Sequence, residues 1–202
     1  MLRTLTHRSL KRLPILLAFM PLGACITLVG KPPEMLLTLS SSTAPEVGST
    51  LDSKTAKTIT LQVPVVPAAI AGPRVPVMTG STSIAYVKGA VWSEPPARLF
   101  ARLLADTVAA KTGRVVLSNQ QSFADPGARL SGELRTFGID ADHSQAVVAF
   151  EGTLVRDGQK TFEKRRFEAR EPVGAITPEG AGAALNRAAN RVAADVADWV
   201  GR

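Results

Sequence analysis

The chain has 202 residues, 45% of them hydrophobic, and 24 Lys and Arg against 17 Asp and Glu give a formal charge of +7. It is long enough to bury a core and suits one domain plus a tether. The basic excess is local: Arg3, Arg8, Lys11 and Arg12 precede an apolar run, and without residues 1–24 the charge falls to +3. A nucleic-acid footprint needs a clustered basic face well beyond that, so nucleic acid is excluded as an expected partner.

The apolar run is LPILLAFMPLGACITLV, Leu13 to Val29. A membrane-spanning helix needs about 20 apolar residues, and Pro14, Pro21 and Gly23 break this one. A basic n-region, a short h-region and small residues ahead of Cys25 make a secretory signal. Within it LGAC, Leu22 to Cys25, resembles the lipobox of bacterial lipoproteins. That resemblance implies cleavage before Cys25 and a thioether-linked diacylglycerol on its sulfur. Ile26, rather than the aspartate of inner-membrane retention, follows the cysteine, so the implied location is the outer membrane, lipid-anchored on its periplasmic face. The expected organisation is a signal peptide over 1–24, a lipidated tether over 25–33 and one domain over 34–202. Cys25 is the only cysteine; once acylated, it leaves no thiol for a disulfide, a metal or a nucleophile. With few aromatics, the core is expected to be built mainly of Val, Leu, Ile and Ala.

Along the domain, Met35 to Leu39 reads as a first strand, and the Ser-, Thr-, Gly- and Pro-rich TAPEVGSTLDSKTAK as a loop. TITLQVPVV is a second strand, Ile59, Leu61 and Val63 alternating with Thr58, Thr60 and Gln62. Pro64 and Pro67 end it. A proline-punctuated extended stretch leads to a short strand near Ser83 to Val87. In AVWSEPPARLFARLLADTVAAKTG, Ser93 or Glu94 can cap a helix, Pro95 and Pro96 fit its first turn, and Gly113 closes it. Leu99, Phe100, Leu103, Leu104 and Val108 form its buried stripe. RVVLSN is a strand, and ARLSGELRTFGID is a half-exposed one with Leu130 and Leu134 inward. SQAVVAFEGTLVRDGQKTFEKRRFEAR is a hairpin turning at Asp157-Gly158. The last helix has Thr177 as N-cap and Pro178 at its first position. Leu185, Ala188, Val192, Val196 and Trp199 share one of its faces. The expected fold is α+β, a mostly antiparallel sheet with two helices packed on one face in a single domain.

Little in this inventory performs chemistry. His143 stands between Asp142 and Ser144 in a turn sequence, where three adjacent side chains cannot form a Ser-His-Asp relay. One histidine in the domain and no free cysteine leave no zinc set, and GAGAAL lacks the Lys-Ser/Thr ending of a phosphate loop. It reads instead as a helix start made of small residues for close packing. KTFEKRRFEAR is the densest basic stretch, with Glu163, Glu168 and Glu171 balancing its charge. No catalytic residue, metal or cofactor is expected.

AVWSEPPARLFARLLADTV carries a resemblance of its own. With the lipobox, the strand LLTLSS, the segment ITLQVPVVPAAIAGPRVPVM and an alanine-rich final helix ending ADVADWV, the chain resembles the auxiliary lipoproteins of ABC-type transport systems, the paraquat-inducible protein C type. The resemblance implies a non-enzymatic part of an intermembrane phospholipid transport machine. Its partners would be a periplasmic MCE-domain protein with an ABC permease and ATPase, and the membrane through the lipid on Cys25. Trp92, Glu94 and Pro95 are the candidate partner contacts. A homo-oligomer is left open. The competing reading is a structural or regulatory envelope lipoprotein that binds another complex, such as a peptidoglycan synthase or an outer-membrane assembly factor.

Overall fold

A computed structural model describes residues 35–122 and 127–202; Cys25 and the expected signal peptide and tether lie outside the described residues. Seven strands, β1 (Thr58–Leu61), β2 (Arg74–Thr79), β3 (Ser83–Val91), β4 (Val115–Leu117), β5 (Ala128–Asp140), β6 (Gln145–Val155) and β7 (Phe162–Pro172), make one sheet. Three helices accompany it, α1 (Ala68–Ala71), α2 (Pro96–Thr112) and α3 (Pro178–Val200).

The sheet is mixed, which corrects the mostly antiparallel expectation. β5, β6 and β7 form an antiparallel meander and β2 pairs antiparallel with β3, but β1 runs parallel to both β4 and β5, and β2 runs parallel to β5. β1 and β2 lie end to end along one edge of β5, at Ala128–Leu130 and Ile139–Asp140. The four-residue α1 falls between them, a third helix that the sequence reading did not foresee. Parallel neighbours need a long connection rather than a tight turn, and α2 lies in the one that leads from the β2–β3 pair to β4. β1 is accordingly buried at all four positions, Thr58 and Thr60 included, where alternation had pointed the threonines outward.

One register irregularity keeps β5 amphipathic. Leu134 pairs with Phe150 and Phe137 with Val148, with a shift between Leu134 and Thr136. The extra residue flips the odd–even parity, so Leu130, Leu134, Phe137 and Ile139 are all buried. Phe150 meets Phe100 of α2 at 5.5 Å between ring centroids. The aromatics are few, yet Trp92, Phe100, Phe137 and Phe150 are the largest fully buried side chains.

The helices follow their sequence signals closely. Every residue of both expected stripes is buried, Gly113 takes the left-handed φ of 67° that closes α2, and the Thr177 hydroxyl accepts from Gly180 N–H at 3.2 Å. The cap of α2 differs: its N-cap is Pro95, with no side-chain hydrogen bond. The two long helices run side by side in the same direction. Lys111 pairs with Asp198 at 2.8 Å where both end, and the segment entering at Leu37 starts beside the beginning of both.

That segment is not the strand expected over Met35 to Leu39. Leu37 forms a single bridge with Trp92, and the chain then lies along α3 as a strap. Ser40 N–H donates to Asn186 Oδ1 at 3.0 Å, Ser42 N–H donates to Asn190 Oδ1 at 2.7 Å, and Asn190 Nδ2 donates to Ser40 O at 2.9 Å. Two amides one helical turn apart satisfy a backbone that has no neighbouring strand there. Gly182 admits Leu37: a Cβ at that position would sit 2.9 Å from Leu37 Cδ2.

Candidate docking surface

Trp92, Glu94 and Pro95 join β3 to α2. Trp92 is 2% exposed and packs on Phe137 with centroids 5.4 Å apart. Its indole is a core element, so of the three candidate contacts only Glu94 and Pro95 reach the surface. Glu94 pairs with Arg102 one face along α2, and Pro95 is exposed. Trp92 Nε1–H is buried without an acceptor among the described residues.

A broader surface comes from the sheet. α2 and α3 cover the face carrying Phe137, Phe150 and Phe167; among the described residues neither long helix covers the other face of β5, β6 and β7, and only the four-residue α1 borders it. Strand register assembles its chemistry. Glu133 and Glu151 are paired across β5 and β6, and Glu151 and Arg166 across β6 and β7. The Glu151 carboxylate accepts from Arg135 at 2.7 Å and also from Lys164. Those hydrogen bonds, Lys164 first, hold its pKa below the usual glutamate value. Glu168 lies between Arg166 at 2.6 Å and Arg170 at 2.8 Å, and its pKa is lowered, first by the bond from Arg166. Asp140 receives Arg170 at 3.3 Å and His143 Nδ1 at 2.9 Å. Partial desolvation raises its pKa, but the His143 and Arg170 bonds outweigh this and lower it.

Beside this ladder the face turns apolar. Ile70, Pro76, Met78 and Ile84 line a cavity of about 160 Å³ together with Gly138 and Arg135. Val63 and Val65 stand 56% and 66% exposed along the same side of β5. The surface thus combines apolar side chains with charges that are already paired, an arrangement suited to protein contact rather than to polyanion binding.

His143 lies in the turn between β5 and β6, 70% exposed. Asp142 accepts instead from Gly80 N–H at 3.0 Å, so the adjacent Asp, His and Ser form no relay. Among the described residues no three His, Cys, Asp or Glu side chains are grouped to hold a metal, and no helix is long and apolar enough to cross a membrane. Most of KTFEKRRFEAR lies in β7, and of the three glutamates expected to balance its charge only Glu168 pairs with its cations, Arg166 and Arg170; Lys164 pairs with Glu151, Glu163 with Arg156, and Glu171 with Arg187 and Arg191 of α3. The ladder could not be read from sequence because it depends on cross-strand register. The strap left a signal, since Asn186 and Asn190 are i, i+4 amides on an otherwise alanine-rich helix.

The fold is that of a small α+β domain with its two long helices on one face of a mixed sheet. The model of the family described as ABC-type transport auxiliary lipoprotein component matches residues 37–197, and the chain belongs to that family. No curated protein matches it. Its fold resembles a crystal structure from Xanthomonas campestris assigned to family DUF330, at TM-score 0.65 and 17% identity, covering 82% of this chain and 94% of the other. A second solved structure, of an uncharacterized protein, is similar at TM-score 0.62 and 16% identity, covering 81% and 99%.

Proposed function

We propose that this chain is the outer-membrane-anchored docking subunit of an ABC transport system that moves phospholipid through a periplasmic MCE-domain protein, and that it acts by binding rather than by catalysis. The observation that carries the reading is the sheet face that neither long helix covers, in a chain of this family. The lipid on Cys25 holds the domain at the membrane, and the face between β7 and the Ile84 cavity receives the partner. Hydrolysis of ATP belongs to the partner ATPase.

Extraction in mild detergent followed by co-purification tests the partner: the MCE-domain protein is expected with the wild-type chain, and its consistent absence would refute the docking role. Cys25→Ala is expected to abolish acyl labelling and release the domain from the outer-membrane fraction. Labelling that survives this substitution would refute the anchor.

A further inference from the structure

Met35 and Leu36 are 48% and 52% exposed, just before Leu37 inserts between Trp92 and Gly182. The loop that leads into α3 presents a third large apolar side chain, Ile176, 42% exposed and one residue before the Thr177 cap. Gly89 of β3 lies against Pro178 at the same corner, with a Cβ there reaching 3.8 Å from the proline ring. Three exposed apolar side chains, flanked by exposed Lys88 and Arg98, therefore gather where α2 and α3 begin.

We propose that this corner rests on the bilayer that holds Cys25, with Met35, Leu36 and Ile176 among the lipid headgroups. The inference rests on lipidation of Cys25 and adds an orientation to it. The covalent reach of the tether decides between the two ends of the helix layer. From Cys25 to Met35 the chain spans about 35 Å at most when fully extended. The 23-residue α3 is itself about 35 Å long. Bringing the C-terminal end of the helices to the bilayer would consume that entire reach in running back along the body, whereas the corner at Met35 arrives at any extension. Exposed apolar side chains beside Lys and Arg are the composition of a headgroup contact. The C-terminal end, with Trp199 and the Asp157-Gly158 turn, then points away from the membrane.

The test uses the full acylated chain in vesicles of phosphatidylethanolamine and phosphatidylglycerol. An environment-sensitive fluorophore is placed in turn on Leu36→Cys, Ile176→Cys and Gln159→Cys, the last on the exposed β6–β7 turn at the far end. Severalfold stronger quenching by lipids brominated near the headgroup is expected at positions 36 and 176 than at 159. Equal quenching at all three sites, or strongest quenching at 159, overturns the orientation while leaving the anchor intact. Unquenched probes at 36 and 176 in a sample that self-associates would assign the corner to a second copy and overturn it as well. Flotation of the same samples separates the two readings: a chain that fails to float with the vesicles refutes the anchor itself.

Discussion

At the scale of single residues, Trp92 shows how burial and hydrogen bonding pull apart. Its ring fills the space between Leu37 and Phe137, but its Nε1–H has no acceptor among the described residues. A buried donor left unpaired costs about 1–3 kcal/mol, while removing a buried Trp side chain altogether costs about 3–5 kcal/mol. Trp92→Phe keeps most of the packing and deletes the orphan donor, so its stability is expected within about 1.5 kcal/mol of wild type. Trp92→Ala is expected to show the full loss. Urea unfolding midpoints distinguish the two; equal losses would mean that the indole N–H makes a stabilising bond.

At the scale of elements, the strap and the β5–β6–β7 ladder depend on side chains answering a backbone or a neighbouring strand. Asn190→Ala removes the bonds to Ser42 N–H and Ser40 O. At about 0.5–1.5 kcal/mol each, the loss is expected to fall on the strap, read as faster amide exchange over residues 38–43 with α3 still protected. The ladder carries a pH dependence. Glu151 has a folded pKa below its ordinary 4.5, so it binds protons more weakly folded than unfolded. Its contribution is complete above 4.5 and is lost as pH falls through the lowered folded value. Glu168 and Asp140 share that sign. The unfolding midpoint is expected to drop as pH falls below the ordinary glutamate value of 4.5, and Glu151→Gln to flatten that drop while lowering the midpoint at neutral pH. An unchanged slope in the variant would remove Glu151 from the account.

At the scale of the whole molecule, the arrangement is a one-sided sandwich: α2 and α3 bury one face, and the apolar side chains on the other remain available. Val65 and Ile84 are 66% and 53% exposed, so Val65→Asp and Ile84→Asp are expected to change stability by only about 0.5 kcal/mol. Their effect should fall on partner capture, read as loss of co-purification by a chain with unaltered melting. Retained capture by the double variant would move the docking surface elsewhere.

What the sequence determined by itself is local. The 3.6-residue stripes of α2 and α3, the Thr177–Pro178 start, the Gly113 stop and the Asp157-Gly158 turn were legible because each depends on residues within a turn or two. Only the tertiary structure decided the rest. Parallel pairing of β1 and β2 along β5, burial of Thr58 and Thr60, the inward turn of Trp92 and the capture of Glu151 by Arg135 and Lys164 depend on which distant strands meet and in what register. Proline spacing hid β2, because Pro76 is accommodated at an irregularity of its pairing with β3. Strand partners are chosen by the burial of the whole sheet, a long-range free energy that no local window of sequence contains.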